Sequence, residues 1–307
     1  LAPKVNNIFL LILKLSVSSV LLYVVLSKTG IDRVLSTIRG MSISAFIFAV
    51  LLYIVAQFVS TFRWKLLLPE ARISKKLFSL TMIGSFFNTL LPGIIGGDAV
   101  KGFYLYRATG NAGLAFASIF MDRYLGFAVL IAIGAIAYPF GYGYIQGSRI
   151  EWILPAIVFS FIIGSLLFFA LRIGQRIRFF SEFYNYFQAY RNQKAVIRKA
   201  VALSVLVQLT GMFAVYILAL GLGEHIPFLA FLVFLPLIIL FTTLPVSISG
   251  LGVREGAFVL FFGLIGIKPE VATAISLLWF LAVSTGSLLG LLEYIKYKKE
   301  IGNIEMR

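Results

Sequence analysis

The chain has 307 residues, 60% of them hydrophobic and 13% charged, with a mean hydropathy of +0.99 and a formal net charge of +15. Such apolarity excludes a water-soluble globular domain or a disordered chain and points to an all-α polytopic membrane protein. With no cysteine and a single His225, disulfides, thiolate metal sites and multi-histidine metal sites are excluded, and neither a metal nor another cofactor is expected.

A helix crosses a hydrocarbon core of about 30 Å with roughly 20 residues. Apolar runs of that length fall at about 8–27, 43–62, 113–138, 152–172, 200–222 and 271–292, giving six expected full transmembrane helices. The first is of spanning length and lacks a small-residue cleavage site, so no cleavable signal peptide is expected. The second ends in Arg63-Trp64-Lys65, which reads as an interfacial anchor. Two further stretches, about 77–106 and 228–266, are apolar but interrupted. The first interruption runs Thr89-Leu90-Leu91-Pro92-Gly93-Ile94-Ile95-Gly96-Gly97-Asp98-Ala99-Val100-Lys101, the second Thr242-Thr243-Leu244-Pro245-Val246-Ser247-Ile248-Ser249-Gly250-Leu251-Gly252-Val253-Arg254-Glu255. A shift of 153 positions superposes Thr89 on Thr242, Pro92 on Pro245, Gly97 on Gly250 and Lys101 on Arg254. A pair of ordinary proline kinks would explain the prolines but neither the glycines nor the matched cations. Broken apolar segments at corresponding places in two halves instead mark re-entrant hairpins around a transporter's binding site.

The whole of 1–307 then reads as one membrane domain, with repeat 1 at about 5–140 and repeat 2 at about 150–295. Each half has two crossings, a hairpin and a third crossing, and an odd number of true spans inserts the second half upside down. The 27 basic residues fit this inverted-topology repeat: with both termini cytoplasmic, 19 fall inside, five outside (Lys28, Arg33, Arg39, Arg149, Lys268) and three, Lys14, Arg123 and Arg254, at membrane depth. Between the halves, about 174–198, aromatic residues from Phe179 to Tyr190 recur at helical spacing among Arg176, Arg178, Arg191, Lys194 and Arg198. This reads as a cytoplasmic amphipathic elbow, either a plain connector or one that holds anionic inner-leaflet lipids. It also carries much of the positive charge, with no nucleic-acid-binding motif beside it.

The two hairpin tips, carrying Pro92, Gly96, Pro245, Ser249 and Gly252, are expected to meet near the midplane around a polar cavity, because lipid cannot satisfy non-helical backbone. A half-helix beginning after Gly97, and another after Gly250, would offer free N–H groups and a positive dipole end to an anion. Lys101 and Arg254 stand about one turn further on and can reach back to the same point. Asp98 and Ser249 occupy expected N-cap positions. In the crossing after the first hairpin, Asp122 and Arg123 lie about 15 Å deep at 1.5 Å per residue. Charges there are costly and mark function, or else brace a hairpin as ion pairs such as Arg123 with Asp98 or Asp122 with Arg254. Lys14 either snorkels or lines the cavity, and Gly286 and Gly290 form a spacing suited to close internal helix packing.

The sequence from Leu91-Pro92 to Lys101, the pair Asp122-Arg123, and the run from Leu244-Pro245 to Glu255, taken in order, resemble the transmembrane region of lysylphosphatidylglycerol synthases, the flippase-like domain of multiple peptide resistance factors. The resemblance covers nearly the whole chain. It implies a prokaryotic multi-pass protein of the cytoplasmic membrane that moves lipids with polar headgroups between leaflets, near lipid-linked glycan or hopanoid pathways. Lys101 stands where family members often carry Arg, and Asp122 where they often carry Glu; lysine meets phosphate as a point charge rather than a bidentate fork. Only about 15 residues follow the last predicted crossing, so the soluble aminoacyl-transferring domain is expected to be absent and the chain not to be an enzyme.

The expected function is therefore a flippase for a lipid with a phosphate-type anionic headgroup, polyprenyl phosphates included. Lys101, Arg123, Arg254, Gly97 and Gly250 would hold the headgroup, and Asp98, Asp122 and Glu255 would serve as charge partners or proton carriers. The alternatives are a secondary transporter of a small anionic solute and a membrane anchor partnering a lipid-modifying or glycosyl transferase. An enzyme using Asp98 or Asp122 on a lipid phosphate is disfavoured by the lack of clustered metal-binding carboxylates.

Overall fold

The computed structural model describes residues 3–68, 76–90, 95–170, 193–244 and 247–305. Pro92, Pro245 and most of the amphipathic elbow lie outside the described residues. Among the described residues every regular element is helical: α1 (Pro3–Thr29), α2 (Ile31–Arg39), α3 (Ile43–Leu66), α4 (Leu77–Leu90), α5 (Ile95–Thr109), α6 (Ala112–Ala137), a 3-10 turn (Tyr142–Tyr144), α7 (Ile153–Ser165) continued by a π-helical turn (Leu166–Ala170), α8 (Lys194–Gly221), α9 (Phe228–Thr243), α10 (Val253–Gly263) and α11 (Pro269–Glu305). Four helices, α3, α6, α8 and α11, are each long and apolar enough to cross a bilayer. The stretches Leu13–Thr29 of α1 and Ile31–Arg39 of α2 meet the same criterion together, as a pair bent by 80°, and Ile153–Phe169 is a shorter apolar stretch. Among the described residues, length and composition thus support four to five spans.

The bent pair was not anticipated. Gly30 takes φ +79°, a left-handed conformation that turns the chain at little cost, and the nine residues of α2 run amphipathically from it to Gly40. Val34 is buried while Ile31 and Leu35 are exposed.

Lipid rather than water accounts for how the spanning helices are patterned. On α3 the large residues Ile47, Leu51, Val55, Phe58 and Phe62 recur every three or four positions and are all exposed, whereas Ala49, Ala56 and Thr61 are buried. Lipid tails are as apolar as these side chains, so helix association rests on close packing and hydrogen bonds, which small residues permit. Gly286 and Gly290 of α11 show the consequence. A Cβ at Gly286 would lie 2.4 Å from the Tyr53 ring on α3, and one at Gly290 would lie 2.0 Å from the Met82 carbonyl oxygen on α4. Both glycines are therefore internal packing positions.

The two halves are joined through their central helices. Helices α3 and α8 pack together, and the Ser42 amide preceding α3 donates to the Gly221 carbonyl ending α8 at 3.0 Å. A second centre of packing holds α9 and α10 together through Phe231, Phe234, Phe258, Phe261 and Phe262, all fully buried. In the same way α4 packs on α5, so each interrupted stretch is two helices laid against one another.

Candidate functional site

The two interruptions meet. Ser249 Oγ donates to the Thr89 carbonyl oxygen at 3.1 Å, across 160 residues of sequence. Ser249 holds φ +51°, a left-handed conformation that non-glycine residues adopt only when the surroundings enforce it. The non-helical backbone between α9 and α10 is supplied with partners by the protein. Ser18 Oγ of α1 accepts from the Ile248 amide at 2.8 Å, and Glu255 Oε2 accepts from the Gly252 amide at 2.6 Å. Gly252 takes φ +82° with α1 so near that a Cβ would lie 2.5 Å from Leu21 Cβ. On the first interruption Asn88 Oδ1 accepts from the Gly97 amide at 2.9 Å, and a Cβ on Gly97 would lie 1.8 Å from the Gly84 carbonyl oxygen. Gly97 is there to let α5 lie against α4.

These contacts correct four expectations about the helix ends. Helix α5 starts at Ile95, so Gly96, Gly97 and Asp98 are within its first turn and Asp98 is not an N-cap. Helix α10 starts at Val253 with Gly252 at the cap position, so Ser249 is not one either. The Gly97 amide is engaged by Asn88, and the Gly252 amide at the start of α10 by Glu255, so neither of these two donors is free.

Beside this junction lies a cavity of about 410 Å³. It is walled by Tyr53, Gln57, Ser60 and Arg63 of α3, Ser85, Asn88 and Thr89 of α4, Asp98 and Lys101 of α5, and Asp122 and Arg123 of α6 from the first half. The second half contributes Gln208 of α8, Thr242 and Thr243 of α9, Ser249, Arg254 of α10, and Trp279 and Phe280 of α11. Lys101, Arg123, Arg254, Asp98, Asp122 and Ser249 are thus brought together, whereas Gly96, Gly97, Gly250, Gly252 and Glu255 stand behind the wall. Lys14, half-buried on α1, does not line it.

Three ionic groups organise the walls. Arg123 grips Asp98 with two bonds, Nε to Oδ2 at 2.6 Å and Nη2 to Oδ1 at 2.8 Å, and 42% of its side chain remains accessible. This pins α5 to α6 and leaves a guanidinium face open to the cavity. Arg254 donates from Nη2 to Glu255 Oε1 at 2.7 Å and from Nε to Ser276 Oγ at 3.0 Å, and sits 4.9 Å from the Phe280 ring centroid. Glu255 is wholly buried, so one carboxylate both caps α10 and neutralises its neighbour.

The third group overturns two expectations. Asp122 pairs with Arg63 Nε at 2.8 Å and not with Arg254. Arg63 and Trp64 are buried at 5% and 0% exposure, so of the supposed interfacial anchor only Lys65 faces outward. Arg63 also donates to Ser204 Oγ of α8 at 3.1 Å, and Trp64 Nε1 donates to Ser118 Oγ of α6 at 3.3 Å. Lys101 reaches the same Asp122 at only 3.7 Å and stands 3.6 Å over the Trp64 ring. Two cations share one carboxylate here, and Lys101 holds the weaker part of it.

The sum is four cations, Arg63, Lys101, Arg123 and Arg254, against three carboxylates, Asp98, Asp122 and Glu255. Of these cations Lys101 has the longest ion pair, 3.7 Å to Asp122. Electrostatically the cavity suits a monoanionic group bearing oxygen acceptors.

The helical architecture, the lipid-facing apolar surface and the enclosed ionic cavity define a polytopic membrane protein with a buried polar site between two helix pairs. Residues 11–290 match the family described as the lysylphosphatidylglycerol synthase TM region. The chain belongs to that family. A UPF0104 membrane protein of Methanocaldococcus jannaschii is 24% identical over 319 aligned positions, covering 94% of this chain and 95% of the relative. UPF0104 membrane proteins of Methanothermobacter thermautotrophicus (26% identical, 73% of this chain and 78% of the relative) and Pyrococcus horikoshii (24%, 84% and 88%) are similar as well. No solved structure matches the chain.

Proposed function

We propose that the chain is a lipid flippase that carries a lipid with a phosphate-type anionic headgroup between leaflets, the headgroup entering the cavity between the two interruptions. The observation that carries this reading is the excess of one cation over the carboxylates around the cavity, with Lys101 sharing Asp122 with Arg63. A phosphodiester brings the one negative charge that neutralises the site. Arg123, through its accessible face, and Arg254 supply the remaining donors. Asp98, Asp122 and Glu255 hold the cations in place when the headgroup leaves. Each carboxylate is engaged by an arginine, which favours carriage without covalent chemistry and a protein that is not an enzyme.

In this reading the two halves are inverted-topology repeats, α1 to α6 and α7 to α11, with α4–α5 and α9–α10 as re-entrant hairpins and both termini cytoplasmic. Apart from the short α2, the order of apolar helix, long helix, helix pair and long helix recurs in each half and supports it. Removing the buried Arg63 and Lys101 from the inner tally still leaves 17 inner basic residues against five outer ones. Rocking of one half on the other would break the Ser249–Thr89 contact and expose the cavity alternately. The basic segment before α8 is assigned to anionic inner-leaflet lipids, and a separate lipid-modifying or glycosyl transferase would supply or use the lipid.

Reconstitution into liposomes tests this. The wild type is expected to move NBD-labelled phosphatidylglycerol to the dithionite-accessible leaflet and Arg254→Ala to move it at least about tenfold more slowly. Equal rates would remove Arg254 from the proposal. Uptake of a tail-free phosphate ester without movement of the lipid would assign the cavity to a small anionic solute.

A further inference from the structure

On the same two helices, α6 and α9, that line the polar cavity lies an open groove of about 640 Å³ whose lining is apolar apart from Ser160. It is bounded by Ile131 of α6, Ile157 and Phe161 of α7, and Leu240 and Phe241 of α9. The cavity uses the neighbouring residues of the same two helices: Phe127 and Leu130 of α6, and Ile239, Thr242 and Thr243 of α9. The seam between α6 and α9 is thus polar-lined on one side and hydrocarbon-like on the other. The seam is also interrupted. Pro236 inside α9 cannot donate to the preceding turn, and it faces Gly134, where an added Cβ would lie 3.1 Å from the proline ring. A proline inside the helix, packed against a glycine, marks the level at which α9 can bend.

We infer that this groove holds the hydrocarbon tail of the lipid whose headgroup occupies the cavity, and that headgroup and tail are joined through the α6–α9 seam. The inference rests on the flippase reading and deepens it, since a small solute would need no such lane. Continuity argues for the occupant: the two compartments share both walls, and the groove opens beside exposed apolar residues of α7, Phe159 and Ile162. Lipid tails and the groove lining are equally apolar, so occupancy adds little affinity. Its effect is on passage. Obstructing the groove should slow lipid movement while leaving headgroup binding unchanged.

The cysteine-free chain makes this testable at single positions. Ser160 is exposed within the groove, and Phe159, its neighbour on α7, is exposed outside it. Ser160→Cys and Phe159→Cys are each reconstituted, modified with a bulky methanethiosulfonate reagent, and then reduced to remove the adduct. Modified Ser160→Cys is expected to move NBD-labelled phosphatidylglycerol at least about tenfold more slowly and to recover on reduction, with modified Phe159→Cys within about twofold of wild type. Affinity for glycerophosphoglycerol, the monoanionic phosphodiester headgroup without tails, is expected to stay within about twofold throughout. Unimpeded movement by modified Ser160→Cys overturns the groove's role and leaves the headgroup site standing. Equal slowing by both adducts overturns it too, as a general surface effect. Absence of movement by the wild type overturns the flippase reading and the groove with it.

Discussion

Two substitutions one unit of charge apart in opposite directions separate the binding role of Lys101 from the structural role of Asp122. In Lys101→Met the unbranched stem is kept and the ammonium lost. Asp122 retains Arg63 at 2.8 Å, so no carboxylate is left bare. The losses are an ion pair at 3.7 Å and a cation–π contact worth about 0.5–2 kcal/mol, offset by relief from holding a desolvated ammonium. Net stability should change by no more than about 1 kcal/mol. The site's formal charge falls from one positive to zero, and a charge-assisted bond worth about 1.5–3 kcal/mol disappears from the bound state. At 1.4 kcal/mol per decade, anion affinity should weaken by roughly ten- to hundredfold. Asp122→Asn does the reverse. It strands Arg63 and Lys101 together, and breaking a buried pair costs about 3–5 kcal/mol. Thermal unfolding in nanodiscs and calorimetric titration with glycerophosphoglycerol, a monoanionic phosphodiester, read the two effects separately. A Lys101→Met protein as unstable as Asp122→Asn, with anion affinity intact, would refute the binding role of Lys101.

Gly97→Ala should fail to fold or lose about 3 kcal/mol or more, because its Cβ falls 1.8 Å from a backbone oxygen that cannot move aside; expression and thermal unfolding check this. Ser249→Gly relieves a left-handed strain of about 1–2 kcal/mol but deletes a hydrogen bond worth about 0.5–1.5 kcal/mol, so stability should hardly change while lipid movement does, as read by unfolding and dithionite assays. Arg63→Gln, at a position outside the two interruptions, should destabilise by about 3–5 kcal/mol by leaving Asp122 to Lys101 alone, measurable by thermal unfolding. For orientation, Ser148→Cys should react with an impermeant maleimide from outside intact cells and Gln193→Cys only after lysis.

The interruptions were readable because proline and glycine inside apolar runs have few structural uses, and their recurrence at a fixed offset turned two weak signals into one. Asp122 and Arg123 line the cavity beside the interruptions, and Arg123 pairs with Asp98, one of the two ion pairs the sequence suggests. Arg63 and Trp64 were misread because a cation and an indole at the end of an apolar run have an interfacial use. Whether such a pair is at the surface depends on what packs over it, and here α6 and α8 supply Asp122, Ser118 and Ser204. The helix starts were misplaced by a few residues for a related reason: the partners that fix them, Asn88 and Glu255, act across a loop or from inside the helix. The short α2 lay below the length at which spans are sought, although Gly30 and Gly40 bracket it.

The most direct test compares lipids in one proteoliposome preparation, using NBD-labelled phosphatidylglycerol and a zwitterionic phosphatidylcholine with the same tails. Faster movement of the anionic lipid by the wild type, with Lys101→Met reducing that preference to near unity, is the predicted result. Equal movement of both lipids by the wild type, or an anionic preference that survives Lys101→Met, would contradict recognition of the headgroup by Lys101.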